Sequence, residues 1–332
     1  MSDPVARPLK RARLSAEPAD SQSVSSSSLS SPSATLQRHP DVWFNDGNIV
    51  LVAQGTGFRI YQGLLAGQST VFSDMFASSS SSDESFDGCP VVRLSDSPHD
   101  LAHLLRVLLS TSHIHYHVTR TNRMRTFDEL SAVIRLAHKY NIQQVEEQAI
   151  AFLQEYGFPT SFAAYSHPST KPHIVLNPAH SIGVANLAHL IDTPSLLPLA
   201  LFHCVFLGSK IFDGCTHEDG SVEYLPEADL RRCFDARAVL ADERTLLLRR
   251  VHDLLLRTDL TRLVNPLEDW RMMIDALGGH GVLCRPCTQE LLERNRRERK
   301  KLFDTLPKIF NITVEGWGTE LAGADVGAED VQ

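Results

Sequence analysis

Two cysteines near the carboxyl-terminal end have the residue types and spacing that most favour chemistry. Cys284-Arg285-Pro286-Cys287 has the spacing of zinc ligands and of redox dithiols, and His280 lies four residues before it. A structural zinc site takes four ligands, commonly from two such pairs, and the sequence has no second Cys-x-x-Cys. Completion of a site would depend on the fold bringing in one of the other cysteines: Cys204, Cys215 or Cys233. We keep Cys284, Cys287 and His280 as metal candidates but expect no metal and no cofactor. Thioredoxin-like chemistry ranks lower, because no βαβ pattern surrounds the pair.

A run of alternating histidines is a second metal candidate. In His-Ile-His-Tyr-His the side chains of His113, His115 and His117 share one face if the backbone is extended. Three imidazoles on one face can bind Zn²⁺ or Cu²⁺. A polar loop or an exposed strand edge accounts for the same composition, and we favour that interpretation.

Short glycine motifs could indicate catalysis, but each is incomplete. Gly67-Gln68-Ser69 begins a Gly-x-Ser-x-Gly nucleophile elbow, yet Val71 stands where the closing glycine is required. Ser69 is better placed as a helix cap. Gly55-x-Gly57 lacks the third glycine of a dinucleotide fingerprint, and Gly-Gly-His-Gly at 278–281 is not a phosphate loop. We therefore predict that the protein is not an enzyme.

Two basic stretches could serve nuclear import or phosphate contact. Lys10, Arg11 and Arg13 lie beside a proline in a serine-rich segment, and residues 294–301 read Arg-Asn-Arg-Arg-Glu-Arg-Lys-Lys. The alternatives are a basic end on a solubilising tail and a solvated helix face, and we favour the solvated face for 294–301. The net charge of -8 argues against a broadly basic nucleic-acid-binding protein.

The bulk properties indicate a soluble intracellular protein of the nucleus or cytoplasm. The chain has 332 residues, which favours two domains, and its 42% apolar content is enough for an ordinary core. No apolar run approaches the roughly 20 residues that span a bilayer, and we see no signal peptide. The six cysteines are scattered and do not form a disulfide framework.

Composition and periodicity predict four segments: a disordered tail (1–38), an α+β domain (39–158), a helical domain (159–318) and an acidic disordered tail (319–332). In the α+β domain, Ile49–Ala53 is a buried strand and Phe58–Tyr61 the returning strand. Ser97 and Thr126 are expected to cap two helices. A helical pair is predicted to split at Thr193-Pro194.

The first ordered block resembles the BTB/POZ domain in the stretch DGNIVLVAQGTGFRIYQGLLAGQSTVFSDMF, and later in VVRLSD and LAHKYNIQQVEEQAIAFL. The family positions are filled by Asp46, Phe58, Leu65, Ser69, Phe72 and Phe76. The resemblance covers about 39–158. The chain is also similar to the BTB proteins of mushroom-forming fungi in HPDVWFNDGNIVLVA, CPVVRLSDSPHDL and VANLAHLIDTPSLLPLALFHC.

The resemblance implies a small mixed sheet flanked by helices and a role in protein–protein interaction. It further implies an adaptor that recruits a client to a cullin ubiquitin ligase, with helices 97–109 and 126–156 as the contact region. A nuclear transcription or chromatin regulator is the alternative. The family's His-Lys pair is Tyr61-Gln62 here, which removes a cationic surface group. Few apolar residues precede the first strand, so the resemblance leaves open whether the chain forms the swapped homodimer of other members.

Overall fold

A five-stranded mixed sheet organises the first half of the chain. The computed structural model describes residues 36–79, 84–109, 124–166, 173–252, 265–281 and 283–319. The strands are β1 (Gln37–Trp43), β2 (Ile49–Ala53), β3 (Thr56–Ile60), β4 (Ser85–Phe86) and β5 (Cys89–Leu94), in the order β1-β3-β2-β5-β4. β2 pairs antiparallel with β3 and parallel with β5, while β1 runs parallel to β3.

The central hairpin follows from its residue types. Every residue of β2 is buried, which suits its β-branched and apolar side chains, and its bounds are those predicted. Gln54 and Gly55 turn the chain with φ of 45° and 88°, so the returning strand begins at Thr56 rather than Phe58. β1 was not predicted, because only the side chain of Val42 within it is fully buried.

The helices of this half begin at the expected caps. They are α1 (Gln62–Ala66), α2 (Thr70–Ser79), α3 (Pro98–Leu108), α4 (Phe127–Lys139) and α5 (Gln143–Tyr156). Ser97 accepts a hydrogen bond from the backbone N–H of His99, and Thr126 accepts one from Glu129. Both predicted caps are confirmed, since each side chain satisfies a backbone donor at a helix start.

The second half is mostly helical. Its helices are α6 (Phe162–Ser166), α7 (His180–Leu190), α8 (Leu197–Val205), α9 (Glu227–His252), α10 (Arg271–Gly279) and α11 (Arg285–Ile309). Single turns of 3₁₀ helix at Pro194–Leu196 and Gly208–Phe212 flank α8. The predicted split at Thr193-Pro194 is confirmed, because α7 ends at Leu190 and proline begins the next turn.

Two short ladders were not predicted. β6 (Arg125–Thr126) pairs with β7 (Ile174–Val175), and β8 (Cys215–Thr216) pairs with β9 (Val222–Glu223) in a hairpin. Each strand has two residues, which is too short to leave a period-2 pattern in the sequence.

Helix α4 is the centre of the molecule. α3 and α5 pack against it from the first half, and α7 from the second. At Gly183 of α7 the approach is so close that an added Cβ would lie 2.6 Å from the Phe127 ring. One apolar core therefore extends from Phe72 to Phe202 and Phe303, and the described residues from Leu36 onward belong to one compact unit. The predicted α+β class is confirmed.

Among the described residues, none of the helices combines the length and apolar character needed to cross a bilayer.

Candidate interaction surface

The signature residues of the first half are packing residues. Asp46 is exposed, whereas the other five are at most 4% exposed: Phe58, Leu65, Ser69, Phe72 and Phe76. The Phe72 ring stacks on Tyr140 with centroids 4.2 Å apart and on Phe76 at 5.7 Å. These side chains shape the core and leave recognition to the residues around them.

Ser69 connects two distant parts of this core. Its Oγ accepts a hydrogen bond from the Phe72 N–H at 3.0 Å, which caps α2. The same hydroxyl donates to the Tyr140 carbonyl oxygen at 2.5 Å, between α4 and α5. The Ser69 hydroxyl is thus used in packing the first half, as the capping interpretation expects.

The position of the family's His-Lys pair carries a neutral aromatic group. Tyr61 Oη donates to Asp46 Oδ1 at 2.7 Å, and its ring lies 5.2 Å from that of Phe44. The Gln62 N–H donates to Asn48 Oδ1 at 2.8 Å. The hydrogen bond to the Asp46 carboxylate raises the pKa of Tyr61. A partner meeting this surface finds a phenol bonded to a carboxylate and a neutral glutamine in place of the histidine and the lysine.

Helix α4 cannot form the docking face that was expected for residues 126–156. All its residues are buried or half-buried except His138 and Lys139 at its end. α7 covers one side, where the His180 ring stacks on Phe127 at 4.6 Å. The expectation was wrong for the body of α4, because a helical pair that follows much later in the chain packs on it.

An exposed helix surface of the first half lies on α5. Gln144, Glu147 and Ala151 are exposed at spacings of three and four residues, which places them on one face. On α3, Arg106 is exposed and pairs with Asp41 at 2.9 Å.

An aromatic patch is exposed on the second half. Phe212 and Phe234 are 57% and 49% exposed, with ring centroids 5.9 Å apart. Tyr224 is 61% exposed and lies against Gly214, two residues from Phe212. Large apolar groups so placed are typical of protein-binding sites.

A charged cavity of about 250 Å³ lies between the two halves. Its lining comes from α3, α4 and the β8–β9 hairpin, and includes His99, Asp100, Asp128, Arg135, His217 and Glu223. Burial, followed by the negative charge of Asp219, raises the pKa of Asp100.

His217 is held between two carboxylates in this cavity. Its Nδ1 contacts Asp128 Oδ1, and its Nε2 lies 2.9 Å from Glu223 Oε1. Because both ring nitrogens face acceptors, the imidazole is held as the cation. The hydrogen bond with Glu223, joined by that with Asp128, raises the pKa of His217 to about 9. Burial would raise the pKa of Glu223, but His217 and Arg135 lower it.

Two groups of metal-capable side chains lie beside this cavity. One is Cys215, His217 and Glu223, and the other is His99, His103 and Glu218. Within each group the donor atoms lie within 4.8 Å of one another. Neither group was predicted from the sequence, although the Cys-x-His spacing at 215–217 was a signal. His103 and Glu223 gave none, since their partners are distant in sequence.

The predicted metal candidates occupy a different place. Cys284 precedes α11 and Cys287 lies in its first turn, with the two Sγ atoms 3.0 Å apart. The hydrogen bond between the two thiols lowers the pKa of Cys284. In the described part of the chain, His280 does not join the pair in a group of three donors within 4.8 Å. The remaining cysteines that the sequence offered as completing ligands are buried elsewhere: Cys204, Cys215 and Cys233.

The basic run of α11 is not a uniform solvated face. Arg299 is 4% exposed, donates to the Leu267 carbonyl oxygen at 2.9 Å and pairs with Asp269 at 3.1 Å. Asn295 is also buried and donates to Asp269. The solvated-face interpretation was therefore wrong at these two positions, because α11 packs against the loop before α10.

Two other sequence candidates fall outside the described residues. They are the basic cluster Lys10, Arg11 and Arg13 and the histidine run His113, His115 and His117.

The comparisons with known proteins concern the first half. A family model for the BTB/POZ domain matches residues 44–156, from the end of β1 to the end of α5. A search of curated proteins found no match. The matched span contains strands β2 to β5 and the five helices α1 to α5, whose packing the signature residues determine. BTB/POZ is a protein-interaction domain family, generally non-enzymatic. Residues 44–156 therefore form a BTB/POZ domain, and this part of the chain is a protein–protein interaction module.

Proposed function

We propose that this protein is a BTB-type adaptor that brings a client to a cullin ubiquitin ligase. The single observation that carries the proposal is the placement of two separate exposed surfaces on one compact body. One surface is on the BTB/POZ domain, and the other is on the helical half.

The cullin-facing surface would be the exposed face of α5 with the outer residues of α3. Gln144, Glu147 and Ala151 present a mostly polar helix face with a small residue at its carboxyl-terminal end. A helix face of this kind suits docking against another helical protein, because a small side chain allows close approach of the partner.

The client surface would be the aromatic patch of the helical half. Phe212, Phe234 and Tyr224 offer large apolar area at low cost in side-chain entropy, as binding hot spots commonly do.

An adaptor must hold its two partners in a defined relation. Here α4 of the BTB/POZ domain packs against α7 of the helical half. Arg135 of α4 also pairs with Glu223 of the β8–β9 hairpin at 2.7 Å. The two surfaces therefore move as one body, which suits the transfer of a modification between bound proteins.

The test is a binding titration of the purified full chain with the purified cullin scaffold of the same organism. Ala151→Arg places a long charged side chain on the exposed face of α5 without touching the core. We expect it to weaken cullin binding at least about tenfold, equivalent to about 1.4 kcal/mol. Ala238→Arg is the matched control, because Ala238 is exposed on α9 one turn from Phe234.

The control should bind the cullin as the native chain does. Absence of binding by the native chain would overturn the adaptor proposal. Equal affinities of Ala151→Arg and the native chain would overturn the assignment of α5 as the docking face.

A further inference from the structure

Three donor side chains of different chemistry meet on the β8–β9 hairpin. Cys215 and Glu223 are directly opposite each other in the hairpin register, and His217 lies two residues beyond Cys215 on the same face. Their donor atoms all lie within 4.8 Å of one another. Cys215 is fully buried, while His217 and Glu223 line the charged cavity.

The imidazole of His217 is oriented by a carboxylate outside this group. Asp128 of α4 accepts from Nδ1, which directs Nε2 towards Glu223. A carboxylate on one ring nitrogen and a metal on the other is the usual arrangement around histidine ligands. Glu223 is fixed as well, since its Oε2 accepts from Arg135 at 2.7 Å and from Asn186 at 3.0 Å. Its Oε1 is the oxygen that faces His217.

Thiolate, imidazole and carboxylate together are the donor set of zinc. Tetrahedral zinc with bonds of about 2.0–2.3 Å separates its ligand atoms by roughly 3.3–3.6 Å. The 2.9 Å contact of His217 Nε2 with Glu223 Oε1 would open by about half an ångström, which side-chain rotation can supply. We propose that Cys215, His217 and Glu223 bind one zinc ion, with a fourth position open to water from the adjoining cavity.

The charges around the group balance with and without the metal. Without it, the cations His217 and Arg135 face the carboxylates of Asp128 and Glu223. Zinc replaces two protons, one from His217 Nε2 and one from the Cys215 thiol, and both leave to solvent. The bound site then holds the divalent ion and Arg135 against one thiolate and two carboxylates, which is again neutral.

The consequence of the site would be mechanical. The hairpin belongs to the helical half, whereas Asp128 belongs to α4 of the BTB/POZ domain. A metal at His217 would hold that ring firmly against Asp128 and so fasten the hairpin to the domain. This inference does not depend on the cullin proposal.

The experiment uses the full chain, freed of metal with a chelator. One sample is titrated with Zn²⁺ and a separate sample with Co²⁺. We expect one equivalent to bind, two protons to be released, and a thiolate-to-cobalt charge-transfer band to appear. Cys215→Ser and Glu223→Gln keep side-chain size and should weaken binding more than about 100-fold. Asp128→Asn should cost about 10–100-fold, the range for groups that orient a ligand.

Two control variants separate this group from the other donors. The double variant Cys284→Ala, Cys287→Ala removes the exposed thiol pair, and His99→Ala removes a donor of the neighbouring group. Both should retain one equivalent of metal. The proposal is overturned if the native chain binds less than about 0.1 equivalents. It is also overturned if either control abolishes binding, or if Cys215→Ser binds as the native chain does while circular dichroism shows it folded.

Discussion

Replacing Ser69 by alanine tests whether its hydroxyl stabilises the packing of α2 against the junction of α4 and α5. The change removes the hydroxyl that accepts from the Phe72 N–H and donates to the Tyr140 carbonyl oxygen. Ser69 is 2% exposed, so water cannot readily replace either bond. The substitution leaves the backbone free to keep its helical conformation and creates only a small cavity.

The expected cost is the sum of two losses. Removing a serine N-cap costs about 1 kcal/mol. Leaving a buried carbonyl without its hydrogen bond costs about 1–3 kcal/mol. Relaxation around Tyr140 recovers part of the second loss, so we expect the free energy of unfolding to fall by about 2–3 kcal/mol.

Urea unfolding followed by circular dichroism measures the change, with Ser73→Ala as the matched control. Ser73 lies one turn further along α2 and is exposed, so its replacement should change the free energy of unfolding by less than about 0.5 kcal/mol. If the two variants differ by less than that amount, Ser69 does not link α2 to the α4–α5 junction as described.

Three further predictions concern other parts of the chain. Burial lowers the pKa of His203 from 6.5 to about 4, so its neutral form is favoured in the folded state. The contribution of His203 to the free energy of unfolding is therefore complete above pH 6.5 and falls by about 3 kcal/mol as the pH drops to 4. Urea unfolding at each pH measures this loss, and His203→Leu should abolish it. Gly183→Ala should cost about 1–3 kcal/mol because the new methyl meets the Phe127 ring, whereas Gly63→Ala, in helix α1 with open space around it, should not destabilise the protein in the same assay. In the folded chain an aromatic disulfide reagent should modify only Cys284 and Cys287, since the other four cysteines are buried; a third fast-reacting thiol would contradict the packing.

Local rules predicted the parts of the fold that depend on neighbouring residues. β2 emerged with its predicted bounds because a run of five apolar residues that is rich in β-branched side chains and bounded by a turn is typical of a buried strand. Ser97 and Thr126 were recognised as caps because a cap bonds within three residues of itself. The signature spacing from Phe58 to Phe76 likewise identified the domain that the family comparison then matched.

Such local rules could not predict contacts between segments that are distant in the sequence. Asp128 meets His217 only because α7 packs on α4 and positions the hairpin, and the two residues are 89 apart in the sequence. Arg299 lay within a run of cations, and its burial against Leu267 depends on how α10 and α11 meet. Cys215 and His217 share only a short Cys-x-His spacing, and Glu223 joins them through the pairing of β8 with β9.

The central position of α4 limits how this protein can be divided or recombined. A fragment ending after α5 would lose α7 and leave the face of α4 around Phe127 open to water, so it should aggregate when produced alone. Transplanting the BTB/POZ domain into another protein would meet the same difficulty. The two halves of this chain are therefore expected to be produced and inherited as one unit.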